Sequence, residues 1–184
     1  MKTKLGAKEL RTIPEDEAKA LSKNIKCLPI FLILEDVLDT YNVGGFFRLS
    51  EALTVKKVYL CGKTQTPPDP KIIKASVGTY KLVDWEYKRT AQEALLELQS
   101  KHKDLMSIAI EQHPRSHDYK EINYHYPLAF ILGNENYGMK QETLKAATEV
   151  CEVPMYGMNK SLNVMVAAGI VLYYAVEVGV PSSK

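Results

Sequence analysis

Two stretches, Ile30-Phe31-Leu32-Ile33-Leu34 and Leu128-Ala129-Phe130-Ile131-Leu132, are apolar without a break. A strand with one wet face alternates apolar and polar residues, so an unbroken run needs cover on both sides. Strands of that kind belong to parallel sheets sandwiched between helices. Shorter strands are expected at 57–60, 81–83, 105–110 and 150–153, with helices from Asn42, over 90–101, over 140–147 and from about Leu162 to Val178. Asn42 and Ser161 read as the N-caps of the first and last of these helices. The three prolines between Thr64 and Pro70 read as a loop, and His113 to Tyr126 as irregular chain. Strands alternating with helices predict an α/β fold with a mainly parallel sheet flanked by helices. In such sheets the functional loops lie beyond the carboxyl ends of the strands.

At 184 residues, 46% hydrophobic and 25% charged, the chain fits one globular domain able to bury a full core without staples. A net charge of +2 is low for a dedicated nucleic-acid binder. Its bases gather locally instead: Lys2, Lys4, Lys8, Arg11, Lys19, Lys23 and Lys26 crowd the first 26 residues, diluted by Glu9, Glu15, Asp16 and Glu17. That pattern suits a solvated helical face or an RNA-contacting arm. Cys27, Cys61 and Cys151 are far apart and form no C-x-x-C pair, which points to a reduced, cytoplasmic protein. His113 and His117 have metal-ligand spacing, but Pro114 lies between them with no acidic third ligand, so no metal site is expected. The charged N-terminus is not a signal peptide, and the apolar run Val164 to Val176 is too short to span a bilayer.

Three segments stand out as carriers of chemistry. In Asn42-Val43-Gly44-Gly45-Phe46-Phe47-Arg48, the residues Val43, Phe46, Phe47, Ser50 and Leu53 form one helical face. Arg48 falls on the opposite side, as a solvent-facing arginine would. Two glycines in a first turn weaken a helix by about 1 kcal/mol each, so something needs close backbone approach there, either a ligand or another chain segment. Gly133-Asn134-Glu135-Asn136-Tyr137-Gly138 follows a buried strand and sets a carboxylate among backbone N–H groups. Pro154-Met155-Tyr156-Gly157-Met158-Asn159-Lys160-Ser161-Leu162-Asn163-Val164 leads into the last helix. Its methionines, tyrosine and glycine suit an adenine or thioether ligand better than a solvated turn. Asn163 needs a partner, either a ligand or a backbone group. The helix that follows is apolar almost all round, as if part core and part homodimer contact.

In order and spacing over residues 29–178, these segments resemble the SpoU (TrmH-like) branch of the SPOUT RNA methyltransferases. Asn42 to Arg48 matches the family's Asn-x-Gly-Ala-x-x-Arg, with Gly45 where alanine is usual. Phe130 to Gly138 matches its apolar strand with Gly-Asn-Glu. Val153-Pro154-Met155-Tyr156-Gly157 with Ser161-Leu162-Asn163-Val164 matches its third motif. The resemblance implies a C-terminal deep trefoil knot, S-adenosylmethionine as cofactor and a homodimer that contacts RNA with both subunits. It implies a cofactor pocket at Ile110, Glu111, Leu132, Gly133, Val153, Pro154, Met155, Gly157, Ser161 and Leu162. It assigns catalysis to Arg48, with Asn42, Glu135, Ser161 and Asn163 shaping the site. The reaction implied is methylation of a ribose 2′-hydroxyl, with transfer RNA favoured over ribosomal RNA.

The family's arginine is proposed to help the hydroxyl lose its proton. A guanidinium is ordinarily a poor base. Either RNA phosphate and the dimer environment perturb Arg48, or it holds phosphate and hydroxyl together while water takes the proton. Residues 1–28 are expected to be a basic, helical extension and 29–180 the methyltransferase domain. With no separate RNA-binding domain in the chain, RNA would be read through the dimer surface and the basic arm. The alternatives are a non-catalytic RNA-binding homologue and a base-methylating relative. A dehydrogenase is disfavoured, since the chain has no G-x-G-x-x-G and no P-loop.

Overall fold

The structure, a computed structural model, describes residues 4–179. Seven parallel strands form one sheet: β1 (Leu28–Glu35), β2 (Val55–Cys61), β3 (Trp85–Lys88), β4 (Met106–Ile110), β5 (His117–Asp118), β6 (Leu128–Leu132) and β7 (Glu149–Glu152), in the order β3-β2-β1-β6-β4-β7-β5. The helices are α1 (Ala7–Thr12), α2 (Glu15–Ser22), α3 (Thr40–Ala52), α4 (Pro70–Ser76), α5 (Ala91–Lys101), α6 (Gln141–Ala146) and α7 (Val164–Gly179).

The unbroken apolar runs of β1 and β6 are explained by their place at the middle of the sheet, in register from Ile30 opposite Leu128 to Leu34 opposite Leu132. Successive side chains of a strand point to opposite faces. Ile30, Leu32, Leu34, Leu128, Phe130 and Leu132 therefore enter one core, which also takes in Phe46 and Phe47 of α3 and Val171 and Leu172 of α7. Phe31, Ile33, Ala129 and Ile131 enter the other, with Ala94, Leu95 and Leu98 of α5 and Leu144 of α6. A fully buried aliphatic side chain contributes about 1.5–3 kcal/mol, and each of these strands contributes to both layers.

The chain lays β2 and β3 to one side of β1, then crosses over to build β4, β7 and β5 on the other. β6 closes the gap between β1 and β4. The order reverses around β1, β6 and β4, the place where a parallel sheet opens a crevice beyond its strand ends.

Several sequence expectations are corrected. α3 begins at Thr40, not Asn42. Asp39 is its N-cap, accepting from the Tyr41 N–H at 2.8 Å, which frees the Asn42 side chain. The last helix begins at Val164, and its cap is Asn163 rather than Ser161: Asn163 Oδ1 accepts from the N–H groups of Met165 and Val166 at 2.9 and 3.3 Å. The strand expected at 81–83 is replaced by a 3₁₀ turn over Thr79–Lys81, and pairing with β2 starts at Trp85. There Lys81 Nζ donates to the carbonyls of Arg11 and Ile13, at 3.1 and 2.8 Å, at the end of α1. The proline-rich loop holds α4, with Asp69 as N-cap and Pro70 in its first turn.

α7 buries Ala168, Val171, Leu172 and Ala175 but leaves Val166, Tyr173 and Val178 exposed in the single chain. No helix of the described residues is long and apolar enough to cross a membrane.

Candidate active site

Beyond the carboxyl ends of β6, β4 and β7 lies a cleft of about 600 Å³, within the range of small-molecule sites. Its apolar wall is Ile110, Val153, Leu162, Val164 and Ala167, and its acidic groups are Glu111, Glu135 and Glu152. Gln112, Gly133, Asn134, Asn136, Gly138, Asn159, Lys160, Ser161 and Asn163 complete the lining.

Two hydrogen-bond systems shape it. The first fixes the loop after β6. Glu111 accepts from the Met139 N–H at 2.9 Å, which ties the loop to the end of β4. Gly138 passes directly over that carboxylate with φ of +67°, and a Cβ there would sit 2.7 Å from Glu111 Oε2. Only glycine meets both conditions. Asn134 Nδ2 donates to the Asp36 carbonyl at 2.7 Å, which joins the same loop to the end of β1. Beneath this junction Lys140 pairs with Asp36 at 2.9 Å. Burial alone would raise the Asp36 pKa, but the Lys63 N–H and Lys140 more than offset it and hold the carboxyl below its usual value.

The second system joins all three sequence motifs. Glu135 accepts from the backbone N–H groups of Leu38 and Asp39 at 3.1 and 3.2 Å, and from Asn42 Nδ2 at 3.0 Å. Asn42 Oδ1 in turn accepts from Asn163 Nδ2 at 3.0 Å, while Asn163 Oδ1 caps α7. Burial pushes the Glu135 pKa up, but the hydrogen bonds from Asn42 and backbone N–H groups outweigh it. The carboxyl stays below its usual range, ionised and acceptor-only at neutral pH. Each Asn amide has both ends committed, so the orientation of one sets the next.

Among the sequence-predicted residues, Ile110, Glu111, Gly133, Glu135, Val153, Ser161, Leu162 and Asn163 line the cleft. Asn42 stands behind it, bonded to Glu135 and Asn163, and only 8% exposed. The Leu132 side chain is buried in the core. Pro154, Met155 and Gly157 lie on the loop leading back to the cleft and do not line it. Arg48 does not line it either. It is exposed on α3, about 9 Å further along the helix axis than Asn42.

Sequence reading passed over Asn134, Gln112 and Lys160. Asn134 sits inside the Gly-Asn-Glu segment and could have been read as a turn former. Gln112 Nε2 donates to the Lys160 carbonyl at 2.6 Å, a contact across the cleft with no local signal. Among the described residues no group of three His, Cys, Asp or Glu side chains could hold a metal ion.

Comparison with known proteins decides the family. The profile of the SpoU rRNA Methylase family matches residues 29–173. The chain belongs to this family. Among SpoU relatives, it is similar to the tRNA (guanosine(18)-2′-O)-methyltransferase of Thermus thermophilus, 29% identical over 78% of this chain and 72% of that one. It is also similar to the 23S rRNA (guanosine-2′-O-)-methyltransferase RlmB of Vibrio parahaemolyticus, 28% identical over 81% of this chain and 59% of that one. The AdoMet-bound rRNA methyltransferase of Sinorhizobium meliloti superposes with a TM-score of 0.75 at 25% identity, over 91% of this chain and 59% of that one. The A. aeolicus TrmH/SpoU tRNA modifying enzyme superposes with a TM-score of 0.72 at 27% identity, over 94% and 81%. The chain thus spans nearly three-quarters of the Thermus protein but only about three-fifths of the Vibrio and Sinorhizobium ones.

Proposed function

We propose that the protein is an S-adenosylmethionine-dependent RNA methyltransferase acting on a ribose 2′-hydroxyl. The observation that carries this reading is the hydrogen-bonded chain Glu135–Asn42–Asn163, which fastens three segments far apart in sequence around one cleft. The names of the relatives support the same chemistry.

The cleft fits the cofactor. Its apolar wall suits an adenine ring, and its three carboxylates favour a cation such as a sulfonium. Ile110, Gly133, Val153 and Leu162 would hold the cofactor, with Leu132, Pro154, Met155 and Gly157 contributing through the loops that carry them. When bound, S-adenosylmethionine supplies an activated methyl group. The chain's own residues supply position. Glu135 and Asn42 fix the start of α3, Asn163 fixes the start of α7, and Ser161, two residues before Asn163, lies on the cleft wall. Holding the ribose oxygen in line with its target in this way accounts for much of the acceleration.

Arg48 reaches the ribose from outside its own cleft, on the face where RNA and a second copy approach. There its planar fork holds phosphate or hydroxyl oxygen. The half-exposed apolar face of α7 supports a homodimer. The knot expected from the resemblance is read at residues 153–163, which pass from β7 across the end of β4, at Gln112, to reach α3 at Asn42. The boundary near residue 28 is read from α1 and α2, which precede the sheet. Transfer RNA is put ahead of ribosomal RNA, with the tRNA enzymes of Thermus thermophilus and Escherichia coli as the supporting relatives. The cytoplasm suits an RNA-modifying enzyme with three free cysteines.

The test incubates the protein with labelled S-adenosylmethionine and separate tRNA and rRNA pools, then digests the RNA to nucleosides. Label in a 2′-O-methyl nucleoside is expected. Label in a base would assign the reaction to ring methylation, and cofactor binding without transfer would make the protein a non-catalytic RNA binder.

A further inference from the structure

Tyr137 is 89% exposed, yet its backbone is held on every side. Asn134 and Gly138 exchange both backbone hydrogen bonds across the turn, at 3.1 and 2.9 Å. Asn134 Oδ1 accepts from the N–H groups of Asn136 and Tyr137 at 2.9 and 3.0 Å. The turn is tied to β1 through the Asp36 carbonyl and to β4 through Glu111. Its neighbours Glu135, Asn136 and Gly138 all line the cleft. Among the described residues the side chain therefore has no packing role, while the turn that carries it is fixed at the cleft mouth.

A second exposed ring, Tyr41, is carried by the segment that Glu135 fastens. Glu135 holds the backbone of Leu38 and Asp39, and Asp39 holds the N–H of Tyr41. Leu38 and Tyr41 are 45% and 52% exposed. Single exposed apolar side chains are ordinary on a protein surface. Exposed rings on rigid backbone, beside a site that takes RNA, have a more specific use. A tyrosine offers a large flat contact and loses only two side-chain torsions on binding. RNA is recognised mainly where it is single-stranded, with unstacked bases laid against aromatic rings.

We propose that Tyr137 is a stacking platform for an unpaired nucleobase of the substrate RNA, at or next to the nucleotide whose ribose enters the cleft. This rests on the RNA-methyltransferase reading above. Stacking tolerates any base, so Tyr137 sets where the strand lies rather than which base is chosen.

The test uses a pool of unmodified tRNA transcripts and measures equilibrium RNA binding, S-adenosylmethionine binding, methyl transfer and molecular mass for the wild type and three variants. Tyr137→Ala is expected to raise the Kd and KM for the pool by about 5- to 150-fold, while Tyr137→Phe and Tyr137→Trp stay within about twofold of wild type. Cofactor affinity and mass are expected to stay unchanged in all three. The slope of log Kd against log salt is also expected to hold, because no phosphate contact is lost. Wild-type transfer with Tyr137→Ala equal to wild type in RNA binding would overturn this assignment alone. A change of mass in Tyr137→Ala, showing that a second copy covers the ring, would overturn it too. So would a Phe variant as impaired as the Ala variant. A wild-type protein that neither binds nor methylates this pool or a pool of unmodified rRNA transcripts would remove the enzyme reading and this one with it.

Discussion

Gly44→Ala and Gly45→Ala begin with the same local gain, since alanine is favoured over glycine inside a helix by about 1 kcal/mol. What the new methyl meets separates them. At Gly44 a Cβ would lie 2.4 Å from Ala75 Cβ, 2.9 Å from the Ser76 nitrogen and 3.0 Å from the Ile72 carbonyl oxygen. These atoms belong to α4 and are backbone or the first side-chain carbon, so none can swing aside and the helices must separate. Overpacking of a tight contact costs about 1–3 kcal/mol, and contacts this short place Gly44→Ala near the upper end, a net loss of about 2 kcal/mol. At Gly45 the Cβ would meet only the Met165 side chain, nearest at 3.1 Å, and methionine is the most adaptable of core residues. Gly45→Ala is therefore expected to be neutral or to stabilise by up to about 1 kcal/mol. For a chain of this size the pair should differ in Tm by about 4–12 °C. Thermal and urea unfolding followed by circular dichroism measures it. Equal stabilities would refute the claim that helix contact requires Gly44. Unchanged stability in Gly44→Ala with lost cofactor or RNA binding would show that the glycine serves a ligand instead.

Arg48→Ala should lower methyl transfer by about 10²- to 10⁴-fold if the arginine assists proton loss, with S-adenosylmethionine binding retained in calorimetry. Loss of cofactor binding would place Arg48 elsewhere in the mechanism. Asn163→Ala removes the α7 cap and should cost about 1 kcal/mol. Asn163→Asp keeps the cap but turns a carboxylate oxygen toward Asn42 Oδ1, so it should lose about 1–3 kcal/mol through that part-buried contact and lower the transfer rate; wild-type stability together with wild-type transfer in the Asp variant would sink the relay. Glu135 has a depressed folded pKa, so its stabilisation is present above the unfolded value near 4.5 and disappears as pH falls through the folded one. The Tm difference between wild type and Glu135→Gln should be constant from neutral pH down to about pH 5 and shrink below 4.5. A difference that grows in acid would contradict the sign.

The central sheet was legible because burial on both faces leaves an unmistakable pattern, as at Ile30–Leu34 and Leu128–Leu132. The three loops around the cleft were legible from their residue types and order. Caps were less so. Asn42 and Ser161 are both good N-cap types, but Asp39 and Asn163 hold those places, because a cap is decided by which side chain folding leaves free to turn back. α4 lay hidden among prolines, although Asp69-Pro70 is a recognisable helix start. Lys81-Leu82-Val83 reads as strand locally, yet Lys81 is drawn to the end of α1, some 70 residues earlier. No window of neighbouring residues contains that information. The two glycines of α3 announced a close approach, and only the folded chain shows that α4 and Met165 supply it. The phase of Arg48 was readable from helical periodicity, whereas its distance from the cleft depends on packing.

The walls of the cleft come from residues near 110, 133, 153 and 162, and the last of them is made after the final strand. During synthesis most of the sheet can collect while the ligand site is still missing a side. Contacts this distant in sequence form slowly, and chains emerge from the ribosome N-terminus first. A nascent polypeptide halted before residue 159 would lack α7, leaving the core layer around Leu32 and Phe130 open on that side and no enclosed place for a small molecule, so affinity for one would mark the arrival of the last helix.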